Sequence, residues 1–155
     1  MDSSVIRAAA YRFGADLCGF APIERFEGIA PEHNPKSIFP QAKTVIVLGR
    51  RILRGAVRVT EEQSAVSPYI DFGLSMLEDQ FLPKTAYDVV LFIENNHFDG
   101  VPIFGYDVEA ASKVYMADPV EAGKPAPNVY VDIAHAAELA GLGRVGRHGM
   151  LITPE

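Results

Sequence analysis

Four glycines within nine residues, Gly141, Gly143, Gly146 and Gly149, stand between a helical pattern and a strand pattern near the C-terminal end of this chain. Each glycine lifts the restriction a Cβ imposes, so the stretch must turn sharply, let backbone pass close to something, or both. Its first six residues, Gly141-Leu142-Gly143-Arg144-Val145-Gly146, spell G-x-G-x-x-G, the phosphate-binding fingerprint of dinucleotide folds. That fingerprint works only after a strand and before a helix, because the helix N-terminus offers its free N–H groups to the pyrophosphate. Here the order is reversed: "IAHAAELA" predicts a helix running into the glycines, and "GMLIT" predicts a strand leaving them. The acidic residue expected about twenty positions further on is also missing. The dinucleotide reading fails on context. The helix, capped at its start by Asp132 or Asn128, is predicted to end within a residue or two of Ala140, with Gly141 in the left-handed conformation.

A helix C-cap accounts for Gly141 but leaves the other glycines, interleaved with Arg144, Arg147 and His148, to be explained. Glycines beyond a cap let backbone approach a ligand, and the basic side chains give that ligand negative charge. Gly141, Gly143, Arg144, Gly146, Arg147 and His148 are therefore the candidate cofactor-binding residues. On this reading Gly143→Val should block a ligand at little cost in stability.

The rest of the chain bounds what such a loop could serve. At 155 residues it reads as a single domain over 1–155, large enough for a real core. A net charge of −6 makes nucleic acid a poor partner. The single cysteine, Cys18, allows neither an internal disulfide nor a four-cysteine iron–sulfur cluster. No signal-peptide pattern opens the chain and no apolar run approaches the ~18–20 residues of a membrane span, so a cytoplasmic protein without a membrane partner is expected.

Along the chain, Asp2 to Ser4 offer N-caps for a first helix that Gly14 ends, and "DLCGFAPI" reads as a short strand. "EGIAPEHNPKSIFPQAK", with three prolines, reads as an ordered loop. The continuous apolar run Val45 to Leu48 in "TVIVLGRRI" predicts a strand buried on both faces. A polar connection around "VTEEQSAVS" leads to a helical region from about Pro68 to Asn95, split near Leu82 because Pro83 cannot continue an α-helix unbroken. "GVPIF" predicts a strand and "DVEAASKVYM" a helix before the linker "ADPVEAGKPAPN". The expected class is α/β or α+β, with a small central sheet of about four strands flanked by helices.

The terminal residues carry a resemblance. "HAAELAGLGRVGRHGMLITPE" resembles the glycine-loop signature of the epoxyqueuosine reductase and reductive dehalogenase superfamily, enzymes using cobalamin and iron–sulfur clusters. In that family A-G-L-G ends a helix and G-x-x-G-[KR]-[NH]-x-x-L-[IL]-T-P-E follows. Ala140 to Gly143, Gly146, Arg147, His148, Leu151, Thr153, Pro154 and Glu155 stand in that order here. "GADLCGFAPIERF", "FPQAKTVIVLGRRI" and "AYDVVLFIENNHFDGVPI" resemble other parts of the family more loosely, so the likeness spans nearly the whole chain. It implies a nitroreductase-like fold in which the loop lines a corrinoid pocket. Family enzymes continue past Thr-Pro-Glu into cysteine-rich cluster motifs, which this chain does not contain. The resemblance thus implies a truncated or naturally short relative that is not redox-competent alone. An aspartate before the glycine-loop helix acts as proton donor in the epoxyqueuosine reductases. "YVDIAH" places Asp132 similarly, though with fewer residues between it and the glycines. Tyr106 and Tyr130 join Asp132 as catalytic candidates.

Two further readings stand beside this one. The chain could be a non-enzymatic binding or interaction domain that kept the fold, or a relative of the FMN-binding nitroreductases, with Arg50, Arg51 and Arg54 near the flavin phosphate. The four histidines stand apart, with His135 and Glu138 at i, i+3 the sole weak metal pairing. Cys18 reads as an inert core thiol. Met150 to Ile152 at a sheet edge, and Met76, Leu77 and Phe81 on the long helix, are candidate surfaces for a homodimer, against the alternative that they fill the domain's own core.

Overall fold

The computed structural model describes residues 1–103, 129 and 131–154. Contacts group the chain into two compact units, each built from two stretches of sequence. One unit is Met1–Cys18 with Leu48–Phe104, and the other is Gly19–Val47 with Gly105–Glu155. Strand β1 (Leu17–Pro22) pairs with β2 (Thr44–Gly49). The Asp16 N–H donates to the Gly49 carbonyl at 2.8 Å and the Ile23 N–H to that of Lys43 at 3.0 Å, so sequence number falls along one strand as it rises along the other. The pair is antiparallel.

In the first unit, helix α1 (Ser3–Arg12) starts where the Asp2 carboxylate accepts the Ser4 N–H, which also holds that carboxyl below its ordinary pKa. It stops at Gly14, whose φ of +98° a side chain would resist. A Cβ there would also press on the Arg50 guanidinium at 3.0 Å. Helix α3 (Arg54–Glu61) runs into what reads in sequence as a polar connection. It is amphipathic, burying Ala56 and half-burying Val57, Val59 and Thr60.

The long helical region begins as the single turn α4 (Ser67–Tyr69), becomes π-helical over Ile70–Ser75 and Leu77–Phe81, and turns α-helical as α5 (Leu82–Glu94). The Leu82 N–H reaches the Leu77 carbonyl, five residues back. Pro83 accounts for the wide turn beside it, Leu77–Phe81: it has no N–H and its ring crowds the carbonyl four residues earlier, and a widened turn relieves both. The predicted break near Leu82 is thus a change of helix type. Met76 and Phe81 are half-buried and Leu77 is buried, so this unit's own core takes up much of the face proposed for a dimer.

Thr85, 1% exposed, ties these elements together. Its hydroxyl lies 2.8 Å from the Phe81 carbonyl and 3.1 Å from that of Phe13, while Arg50 reaches Thr85 Oγ1 at 3.4 Å and stacks over the Phe81 ring. Thr85→Val keeps the shape and removes the hydroxyl. It is expected to cost about 1–3 kcal/mol in urea unfolding; an unchanged midpoint would show that the hydroxyl bonds contribute nothing.

The second unit has its core at Ala21, Ile23, Phe26, Val47, Ala136 and Ala137. The connection from β1 to β2 is tighter than a plain loop: 3₁₀ turns at Ile23–Phe26 and Pro31–His33 precede the one-turn helix α2 (Pro35–Ile38). The Asn34 side chain caps α2 through the Lys36 N–H and donates to the Phe26 carbonyl. Helix α6 (Ile133–Leu139) leads into the strands β3 (Arg144–Val145) and β4 (Leu151–Ile152).

Helix and strand coexist with antiparallel pairing, which is an α+β arrangement. Three expectations need correcting. Among the described residues the strands form two separate two-stranded sheets rather than one sheet of about four, because β3 and β4 span only two residues each. In β2 only Val47 is buried; among the described residues β1 alone pairs with it. Val101–Ile103 of the predicted "GVPIF" strand form no regular structure and leave Val101 and Ile103 exposed. The predicted "DVEAASKVYM" helix and its linker lie outside the described residues.

Candidate functional site

Helix α6 is only seven residues long, too short to persist alone, yet both its ends are closed. At its start the Asp132 carboxylate accepts the His135 N–H at 3.0 Å. At its end the Leu142 N–H donates to the Ala137 carbonyl at 3.0 Å and the Gly141 N–H to that of Glu138 at 2.9 Å, with Gly141 at φ +76°. These are the two bonds of a Schellman cap, and Leu142 packs against the cluster holding Ala136 and Ala137. Arg25 Nη1 takes the next carbonyl, that of Leu139. The helix therefore stops at Ala140, as its sequence predicts.

From Gly143 the chain forms a hairpin, pairing Arg144 with Ile152 and Val145 with Leu151. Gly146 and Met150 close a three-residue loop of Arg147, His148 and Gly149: the Gly146 N–H donates to the Met150 carbonyl and the Gly149 N–H to that of Gly146. Gly149, at φ +78°, supplies the left-handed residue that ends such loops. The Val145 N–H reaches Glu138 Oε1 at 3.4 Å, tying hairpin to helix. Paired residues share a side of the ribbon. Leu151 packs on the core, so Val145 and Leu151 face inward while Arg144 and Ile152 face out.

Each glycine now has its own reason. A Cβ on Gly143 would overlap the Ile152 carbonyl oxygen and lie 3.2 Å from Thr153 Cα, so β4 itself fills the space kept for a ligand. The expectation that Gly143→Val is mild is therefore corrected: its neighbour is backbone, which cannot swing aside. At Gly146 a Cβ would meet the His148 ring, 2.8 Å from Cε1 and 2.9 Å from Nε2. Around Gly141 and Gly149 a Cβ would find nothing within 4 Å, so there the backbone is bare. Arg144, Arg147 and His148 are exposed. Among the described residues no hydrogen bond or ion pair engages either guanidinium, and His148 is held only through Nδ1, which accepts the Met150 N–H at 3.1 Å.

No protein-family model matches the chain, and no curated protein or solved structure matches it. The site's fit to a corrinoid is therefore a matter of its own chemistry. A ligand entering the turn at Gly143 or Gly146 does not fit. Outside the turn, the backbone at Gly141 and Gly149 is bare and Arg144, Arg147 and His148 are exposed.

Of the catalytic candidates, Asp132 is exposed and serves as the helix cap, while Tyr106 and Tyr130 lie outside the described residues. Two of the three arginines considered for a flavin phosphate are engaged: Arg50 as described, and Arg51 with Asp16. Burial raises the Cys18 thiol's pKa, against a smaller opposing pull from Arg7, which fits an inert thiol. His135 Nδ1 lies 3.9 Å from Glu138, and among the described residues no three metal-ligating side chains converge. No helix among the described residues is long and apolar enough to cross a membrane.

Sequence reasoning missed Gly19 and Arg25, and it read Glu138 as a weak metal partner of His135 rather than as the acceptor of the Val145 N–H. A Cβ on Gly19 would sit 2.9 Å from the Ala140 carbonyl, so this glycine lets β1 approach the end of α6. Arg25 acts across 114 positions and left no local signal.

Proposed function

We propose that this chain is the cofactor-binding portion of a reductase of the corrinoid type, with a nitroreductase-like fold, dependent on electrons from outside the sequence given. The observation that supports this most is a two-ended lock on α6 that holds a hairpin offering bare glycine backbone, two arginines that engage nothing among the described residues, and His148 held through Nδ1 alone. Gly141, Arg144, Arg147 and His148 would hold the ligand through its amide and phosphate oxygens. A bound corrinoid supplies redox chemistry at cobalt. The chain's part is to orient it, with Asp132 the remaining candidate proton donor among the described residues.

Absorbance titration tests the reading. Hydroxocobalamin should bind saturably, and the Arg144→Gln, Arg147→Gln double variant should bind about tenfold or more weakly, the effect of losing charge-assisted bonds. FMN should bind weakly or not at all, because Arg50 and Arg51 are already engaged. Asp132→Asn retains a capping oxygen but no acid, so it should leave binding unchanged. Cobalamin that fails to bind the wild-type chain, or binds the double variant equally well, rules the reading out.

A further inference from the structure

His148 is an exposed residue whose ring is nonetheless fixed. Its Nδ1 accepts the Met150 N–H, and its Cε1–Nε2 edge lies over Gly146, in the space a side chain there would take. Ile152 Cδ1 borders the same space, 3.3 Å from where that Cβ would lie. A ring nitrogen that accepts carries no hydrogen, so in the neutral ring the hydrogen sits on Nε2. Nε2 is then a donor with no lone pair to give a metal. Among the described residues it meets no acceptor. Arg144 stands on the same outward side of the ribbon as Ile152, and Arg147 precedes His148 in the loop. Donors without an acceptor, on a hairpin whose residues 143–154 include no carboxylate and whose neighbour Glu138 already takes the Val145 N–H, call for an oxyanion.

We propose that Arg144, Arg147 and His148 form an oxyanion-recognition site on the outward side of this hairpin, with His148 as a fixed Nε2–H donor and not a metal ligand. The inference deepens the reading above, since it concerns the same hairpin, but its test does not pass through cobalamin.

Two-bond ¹H–¹⁵N correlation on the labelled chain reads the tautomer, with His148 assigned by the signals lost in His148→Gln. The Nε2–H tautomer is expected, and an Nδ1–H tautomer overturns the proposal. Sodium phosphate is then titrated at constant ionic strength, with succinate in a second arm to separate a phosphoryl from a carboxylate preference. At least one of the two should shift the His148 resonances saturably. Arg144→Gln and Arg147→Gln should each weaken that response. His148→Leu, followed through the Gly146 and Gly149 amides, should weaken it about tenfold, whereas His148→Gln, which retains an N–H donor, should stay within about threefold of wild type. No saturable shift with either anion, or shifts indifferent to these variants, overturns the proposal. If the anions bind and cobalamin does not, the corrinoid reading alone falls; in the opposite case the oxyanion site alone falls.

Discussion

Gly143→Val is expected to destabilise the protein by about 3 kcal/mol or more, with loss of the hairpin. The first atom of any side chain at Gly143 would overlap the Ile152 carbonyl oxygen and press on Thr153 Cα. Relief requires β3 and β4 to part, breaking the ladder that pairs Arg144 with Ile152. Alanine scanning of the turn separates crowding from conformation. Gly141→Ala has open space but keeps φ at +76°, and should cost about 1–2 kcal/mol. Gly143→Ala should cost more, although its φ lies outside the left-handed range. Urea unfolding followed by circular dichroism ranks the two, and the reverse order would disprove the close approach of β4. Ligand binding lost in a Gly143 variant reports a lost fold, not a lost contact.

Phe26→Ala is expected to cost about 3–5 kcal/mol. Phe26 is 2% exposed and is the largest fully buried side chain among the described residues. It sits at the end of a 3₁₀ turn in the cluster that contains Ala136 and Ala137 of α6. Ala21, Ala136 and Ala137 are too small to close over a void of that size, so much of the cavity should remain. Because α6 carries the hairpin, amide exchange at Val145 and Gly146, whose N–H groups bond Glu138 and the Met150 carbonyl, should quicken along with exchange in α6. A loss of stability below about 1 kcal/mol would mean that the cluster repacks freely.

The sequence disclosed what is decided locally. Helix α6 could be placed from Asp132, its alanines and Gly141, because caps act within a turn of the helix. The bonds that complete the site come from far away: Arg25 on the Leu139 carbonyl and Gly19 beside Ala140 depend on tertiary approach. The glycine turn was legible as a turn, but its spacing could not tell a ligand's approach from that of Ile152. The run Val45 to Leu48 was legible as a strand, while its burial depended on how many neighbours it would find. Phe72, Phe81, Tyr87 and Phe92 lie at helical spacing in the sequence, yet Phe72 and Tyr87 are exposed: that spacing counts 3.6 residues per turn, and Ile70 to Phe81 do not keep it.

The same departure sets the phase of everything that follows it. A π turn takes up more chain than an α turn, so the azimuth at which α5 begins depends on how many residues the wide turns absorb before Leu82. Val89 and Ile93 face the core of their unit because that count is right. One residue more or fewer within α5 would swing every later side chain by about 100°, whereas the wide turns offer a place where a residue can be gained or lost and the angle recovered. The segment before Pro83 thus works as a length adjuster within a continuous helix, where the chain can change in register without turning its buried face outward.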